Sequence, residues 1–558
     1  MKQFRTALLI GAALVLPAAA QPTVSSGGVV NAASYAAPGL PNSAIAQGSL
    51  FTILGSGLGP SPSEQAPLPL TTNLDGTSVA VFSGGVEYDA LIVAAGDGQV
   101  TALLPSSTPT GPATVVLTYN GASTDPQNIQ VTVSSFGIYT VNSTGTGAGM
   151  ITDANNNLYT ATASAQPGGT GVITGTGLGP VTFDETTTPQ QIDMPDLGVV
   201  VYVAGRSADI SYRGRGLSPG QDQIIFTIPS DVPLGCNVAI VVVIGNIASN
   251  TVFLPVSTSD NPVCSDANGL SSTDLQTILG QSTYSLGSIN LGRNALNIKL
   301  PIPIPGLGSL VMTTDTGSAS FQRYTPGTVT GTPTVFQQAS IGSCYVLTFT
   351  QNTTVTSTGS TVGLDAGALI NVNGPLGSKQ LLPVQNLLGY YSATLSSGTP
   401  PNQQLFLNPG SYAFDNGGGG ADVQGFSFSM NVPAALTWKE LNTIGDNPIV
   451  RASGVTVTWT GGAPGTFALI TGTSVLTSPQ LTATFVCLAP VEAGTFTVGP
   501  DVLLQLPPSD TTSSGGFSIP LSFLGVGNSA TPVRFTATGI DIGFANFSVT
   551  NSAGVTYQ

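Results

Sequence analysis

The chain has 558 residues, of which 41% are apolar and only 7% charged, against about 25% charged in an ordinary soluble domain. Its net charge is −15, with twelve basic residues and no histidine. Nucleic-acid binding needs clustered Lys and Arg to displace phosphate counterions and is excluded; the absence of histidine removes Ser-His-Asp and Cys-His nucleophiles and His-based zinc, copper or iron sites.

Met1-Lys2-Gln3-Phe4-Arg5 is a short basic stretch, Ala7 to Leu16 an apolar run, and Pro17-Ala18-Ala19-Ala20 a small-residue end. This is the secretory signal pattern, too short to cross a bilayer of roughly 30 Å. Residues 1–20 are therefore read as a signal peptide, and the chain as secreted, extracellular or held in the cell envelope. No cysteine follows the small residues, which argues against a lipoprotein. No later stretch reads as a transmembrane helix: Val238 to Ile247 is apolar but β-branched, short and broken by Gly245-Asn246, and reads as a buried strand. The remaining length, about 540 residues, is enough for roughly three to five domains.

From residue 21 onward, short Val/Ile/Thr/Phe/Tyr runs alternate with Gly, Pro, Asn and Asp clusters. Thr114-Val115-Val116-Leu117-Thr118-Tyr119 enters a tight turn at Asn120-Gly121, residues that tolerate positive φ. The spacing predicts antiparallel sandwiches. Gly55-Ser56-Gly57-Leu58-Gly59-Pro60 recurs as Gly175-Thr176-Gly177-Leu178-Gly179-Pro180, and Gln99, Pro105-Ser106, Pro109 and Gly111 recur as Gln223, Pro229-Ser230, Pro233 and Gly235. The offset moves from 120 to 124 residues, which marks a duplicated domain, not a solenoid. The Gly-rich turns are not phosphate loops: no Lys-Ser/Thr and no helix pattern follows them. They predict a sharp backbone reversal after an inward strand.

The segment Val29-Val30-Asn31-Ala32-Ala33-Ser34-Tyr35, with Ala46-Gln47-Gly48-Ser49-Leu50-Phe51-Thr52-Ile53-Leu54-Gly55, the second Gly-rich turn and Val203-Ala204-Gly205-Arg206-Ser207-Ala208, resembles the Solibacter-type secreted-protein domain of acidobacteria, itself similar to the IPT/TIG immunoglobulin-like fold. The likeness covers roughly residues 28 to 257. It implies export and an immunoglobulin-like fold, and brings no catalytic residues. In that family the domain usually ends a larger protein; here it comes first.

The expected fold class is all-β: tandem immunoglobulin-like (IPT/TIG-like) β-sandwiches followed by a further β-sandwich region. The units are 21–135 and 136–260, then a connector over 261–295, a β-rich domain over 296–445 and a C-terminal sandwich-like domain over 446–558. In the connector, Ser272 or Thr273 is expected to cap a short helix that Gly280 stops. Pro301, Pro303 and Pro305 alternate with Ile302 and Ile304 and predict an extended edge strand or linker.

Four cysteines in an exported chain point to disulfides. Cys236–Cys264 is the favoured pair, with Cys344–Cys487 as the second. Arg206, Arg213 and Arg215 are expected on a hairpin surface. No enzymatic role is expected. Asp184, Glu185, Asp365, Asp415, Asp422 and Glu440 are isolated carboxylates that suit solvated turns better than an acid–base pair. No cofactor is expected; calcium is the one ligand with oxygen-rich candidates, in Asp153, Asn155 and Asn157 and in Asp415 and Asp422, although neither segment has the full loop pattern. Aromatic candidates for a sugar platform are Trp438, Trp459, Tyr390 and Tyr391; one of the two tyrosines must face outward. The leading reading is a non-catalytic structural or adhesive protein of unknown ligand. A carbohydrate-binding protein acting through the C-terminal β region, and a carboxylate-dependent glycoside hydrolase, are the alternatives. Cell-wall or extracellular glycans and other envelope proteins are the expected partners.

Overall fold

The computed structural model describes residues 21–266, 269–304, 307–325, 339–350, 360–398, 404–514 and 517–558. The signal-peptide segment, 1–20, lies outside them. The described chain is all-β, with short helices only as punctuation.

The first unit is a sandwich of two sheets. One runs in the order Thr23–Asn31, Leu50–Ser56, Gln99–Leu103, Leu91–Ala95, Glu64–Gln65; the other in the order Ile45–Ala46, Gln127–Thr132, Gly111–Tyr119, Thr77–Ser83, Asn73–Leu74. Alternation puts Val79, Val81, Val115 and Leu117 inward from the second sheet, facing Phe51, Ile53, Val100 and Ala102 from the first. Asn120 and Gly121 both take positive φ in the turn that follows Tyr119.

The second unit repeats the plan around its own core. Its Arg206–Arg215 strand serves both halves. Residues 206–208 pair with Val199–Val203, and residues 209–215 pair with Asp222–Thr227 with a register shift between Ile210 and Tyr212. Gly235–Ile244 is buried almost throughout. Val238, Ile240 and Val242 enter the unit's core, whereas Val241 and Val243 pack with Leu504 of the C-terminal region. Both faces are covered, so the strand carries no polar alternation.

In the connector, helix α1 spans Ser272–Leu279 and is capped by Ser271, one residue before the expected cap. The reason is Asp274: three residues after Ser271, it completes a capping box, receiving the Ser271 N–H at 2.9 Å. A strand begins at Tyr284, inside the segment read as connector, and runs to Ile304. It forms a long antiparallel ribbon with Leu307–Thr325.

That ribbon belongs to a 14-stranded sheet that continues past residue 445. Ile542–Val555 lies parallel to Tyr284–Ile304 and antiparallel to Ser522–Ser529. The sheet serves two cores. One holds Ile289, Leu291, Phe321, Tyr412, Phe414 and Phe547; the other holds Val346, Trp438, Trp459, Ile470, Phe485 and Tyr557.

Both cysteine pairs are closed. Cys236–Cys264 spans 28 residues and ties the second unit to the connector. Cys344–Cys487 spans 143 residues and joins directly opposed positions of neighbouring strands. Closing a longer loop restricts the unfolded chain more. Replacing Cys344 and Cys487 by Ala is therefore expected to lower stability by roughly 4–5 kcal/mol, and replacing Cys236 and Cys264 by roughly 3–4 kcal/mol. Guanidinium denaturation of the two double variants checks the order.

Candidate functional site

The polar chemistry of this chain gathers at the joints between units. Leu58 and Leu178, the repeated leucines of the Gly-rich turns, are fully buried. Gly57 and Gly177 have φ of +67° and +107° and make the reversal. The two turns are supported differently. In the first unit, the Leu58 N–H donates to the Asp97 carbonyl at 2.9 Å. In the second, the N–H groups of Gly177 and Leu178 both donate to Asp222 Oδ2 at 2.8 Å. Asp222 Oδ1 accepts from Arg215 Nη1, and Arg215 Nη2 donates to the Gly179 carbonyl at 2.6 Å. Burial pushes the Asp222 carboxyl up, against the pull of Arg215 and the two N–H groups.

Arg215 thus departs from the surface position expected of it, being 1% exposed. Its carboxylate and carbonyl partners replace the water it loses. Arg206 behaves as expected, half-exposed and paired with Asp231 at 3.0 Å. A signal for the buried pair was present in the repeat. The 124-residue offset sets Asp222 opposite Gly98 and Arg215 opposite Leu91, two charges where the twin has none.

This support underlies the seam between the first two units. The Thr176 hydroxyl accepts the Leu50 N–H at 2.9 Å and donates to the Gly220 carbonyl at 2.6 Å. Asn31 Nδ2 donates to the Ser135 carbonyl at 3.1 Å. Glu185 accepts from the Ser106 N–H at 2.9 Å and hydroxyl at 2.7 Å. Glu185, Arg215, Phe183 and Gly220 line a small recess beside this contact.

The seam between the second unit and the C-terminal region holds two further carboxyls, Asp266 half-buried and Asp501 buried. Asp266 accepts from the Cys236 N–H at 2.9 Å and the Ser340 hydroxyl at 3.1 Å. Asp501 sits in the first turn of the short helix Pro500–Leu503, where its own and the Val502 N–H groups bond it. Burial pushes each up to about 6. Alongside, the Thr251 hydroxyl donates to Gln505 Oε1 at 2.9 Å, and Phe253 meets Tyr345 edge-on at 6.0 Å.

The other sequence candidates are tied into their own turns. Asp153 accepts the N–H groups of Asn155 and Asn157 at 2.8 Å and Asn157 Nδ2 at 2.9 Å; the bonds from Asn157 foremost hold its carboxyl below the usual range. Asp415 accepts from Asn371 Nδ2 at 2.8 Å and the Gly417 N–H at 3.1 Å. Asp422 accepts the Asp365 N–H at 2.8 Å, and Asp365 accepts the N–H groups of Gly367 at 2.8 Å and Ala421 at 3.2 Å, so the structure brings Asp365 and Asp422 together as mutual loop clamps. Asp184 accepts from the Thr186 N–H and hydroxyl, and Glu440 from the Trp438 indole and the Thr458 N–H. Among the described residues no group of three or more His, Cys, Asp or Glu is placed to hold a metal ion. Trp438, Trp459 and Tyr391 are buried; Tyr390 is the outward tyrosine, 38% exposed, on a strand neighbouring Leu382 and next to the exposed Leu387 and Leu388.

No protein-family model matches the chain, and no curated protein matches it in sequence. Among solved structures it is similar to a tetra-tandem repeat from the extending region of a large adhesion protein, at 13% identity over 96% of this chain and 99% of that one, with a TM-score of 0.13. It is also similar to the Escherichia coli adhesin FdeC, at 12% identity over 70% and 94% with a TM-score of 0.14, and to domains 5–6 of the S-layer protein SbsC, at 14% identity over 43% and 99% with a TM-score of 0.15. None of the three superposes on the chain as a whole.

Two outcomes follow from the buried charges. Asp222→Asn leaves Arg215 buried without a counter-charge and should cost roughly 3–5 kcal/mol, with much of it recovered when Arg215→Met is added to Asp222→Asn, which keeps an oxygen for the Gly177 and Leu178 N–H groups; chemical denaturation of both variants reads this. Asp266 and Asp501 titrate higher in the folded chain than in the unfolded one, so their contribution is fully favourable below about pH 4 and is lost as pH rises to about 6. Asp501→Asn should match the parent near pH 4 and exceed it at pH 7, by up to roughly 3 kcal/mol at 1.36 kcal/mol per pH unit. Melting curves at the two pH values check the sign.

Proposed function

We propose that the protein is a non-catalytic, exported structural or adhesive protein whose sandwich units are clamped into one scaffold. The supporting observation is the placement of its polar groups. Arg215, Asp222, Glu185, Asp266 and Thr251 bond across or beside the joints, and the remaining carboxylates named above brace turns. A hydrolase working with two carboxylates needs them facing a substrate across a cleft at roughly 5–10 Å; here each is engaged with N–H or O–H donors of the chain itself. Two disulfides and a surface almost without ions suit a protein that acts outside the cell, at variable salt. A sugar platform draws little support, because Trp438 and Trp459 are both in the core and indole faces are unavailable for stacking.

The test uses the full disulfide-bonded chain on immobilised cell-envelope fractions and a glycan array, with product release from polysaccharides followed in parallel. Retention on envelope material without release of reducing ends is the expected result. Polysaccharide cleavage that is lost in Glu440→Gln or Asp365→Asn sinks the reading.

A further inference from the structure

Thr251 and Gln505 meet across the joint between the second unit and the C-terminal region, 254 positions apart. Thr251 is 7% exposed and Gln505 6%, so the contact is shielded from water. Leu504, the residue before Gln505, packs with Val241, Val243 and Ala248 beside it. The Gln505 amide is fixed at both ends. Its Oε1 accepts the Thr251 hydroxyl at 2.9 Å, and its Nε2 donates to the Asp501 carbonyl at 2.8 Å. The same Asp501 carries a buried carboxyl, bonded by its own and the Val502 N–H groups. A hydroxyl nucleophile, a carboxamide carbon and an acid–base residue are thus gathered in one dry joint. A comparable contact, Ser378 to Asn373 Oδ1, lies in an exposed hairpin, where water competes for both groups.

We propose that Thr251 and Gln505 form an intramolecular ester that locks the second unit to the C-terminal region. Thr251 Oγ1 attacks Gln505 Cδ, and the carbonyl electron pair moves onto Oε1. The pair returns as the Cδ–Nε2 bond breaks. The Thr251 proton ends on Nε2, which leaves as ammonia, so the step consumes no oxidant, water or cofactor. Oγ1 already touches the carbonyl oxygen, and a side-chain rotation carries it to the carbon one bond away. Asp501 is the titratable residue of the turn Gly499 to Leu506. Burial pushes its carboxyl up to about 6, which suits it to pass a proton in either direction near neutral pH. Exclusion of water then protects the ester from hydrolysis. The bond has a mechanical place. Cys236–Cys264 ties the second unit to the connector and Cys344–Cys487 lies within the C-terminal sheet, so neither disulfide spans this contact. The proposal does not depend on what the protein binds.

The experiment is mass spectrometry of the full chain, folded with both disulfides and then denatured, reduced, alkylated and cut with trypsin. Cleavage after Arg215, Arg293, Arg451 and Arg534 places Thr251 in residues 216–293 and Gln505 in residues 452–534. With the disulfides gone, these two peptides should appear as one species whose mass is their sum less one ammonia. Alkaline hydroxylamine should split it, as it does an ester and not an amide. Thr251→Val and Gln505→Glu should each release two free peptides, and Thr251→Ser should keep the link. Asp501→Asn, which is expected to fold more stably at pH 7, should lower the linked fraction about tenfold or more; a purely structural role for Asp501 would not move that readout. Two free peptides from the folded parent chain overturn the proposal, and so does a linked species that withstands hydroxylamine.

Discussion

The C-terminal region depends on one strand pairing. Ile542–Val555 returns to lie parallel to Tyr284–Ile304, aligning Leu286 with Ile542 and Asn297 with Ala553. The Asp541 N–H donates to the Ser285 carbonyl at 2.8 Å, and its carboxylate accepts the Ser285 N–H at 2.6 Å, which fixes where the pairing starts. The same strand feeds both cores: Ala545, Phe547 and Val549 enter one, and Ala553 and Val555 the other. A slip of one residue would turn all of these side chains to the wrong face. Because the partners are some 256 positions apart, the contact carries a large loop-closure cost and is expected to form late.

The joints rest on a second constraint. A chain with so few ions puts several of them where units meet, and buries them. Asp222 is balanced by Arg215; within the C-terminal sheet, Asp315 takes both Arg293 nitrogens at 2.7 and 2.9 Å and the Leu407 N–H, which outweigh its burial and hold it low. Asp266 and Asp501 have only neutral donors and are held high. Such groups add little net stability, but a buried carboxylate with directed N–H donors permits one docking geometry and penalises the rest. The neutral-donor pair ties the strength of the second joint to pH, whereas the first joint carries its own counter-charge.

Much of the first half was legible in the sequence because its signals are local. Glycines at the reversals and the β-rich run Thr114 to Tyr119 before the Asn120-Gly121 turn each act within a few residues. Alternation also required one of Tyr390 and Tyr391 to face outward; the core around Phe321 decides that it is Tyr390. The cap of α1 is Ser271, one residue before Ser272, because the acid three positions on, Asp274, closes a capping box with it. Arg215 was misplaced because composition makes an arginine near a hairpin look solvated, and only a long-range carboxylate overturns that. The topology after residue 284 was not legible: a parallel pairing between distant segments leaves no periodic trace in either strand.

The repeat shows how one motif serves two mechanical roles. In the first turn a backbone carbonyl, that of Asp97, suffices to hold Leu58. The second turn is the surface on which the first unit docks, and contact there is very close. A Cβ on Gly48 would meet Arg215 Nη2 at 2.5 Å and Ser106 Oγ at 2.6 Å, and one on Gly220 would meet Leu50 at 2.8 Å. Gly48 and Gly220 also have φ of +68° and +69°, so no side chain fits on either count. A docking face this tight leaves no room for water to hydrate the backbone of the turn, and groups fixed by the protein must replace it. The Asp222 carboxylate bonds two N–H groups at once, and Arg215 neutralises it while reaching the next carbonyl. The charged pair that distinguishes the second repeat from the first is thus a consequence of its position in the chain, as the member of the duplication that carries its twin.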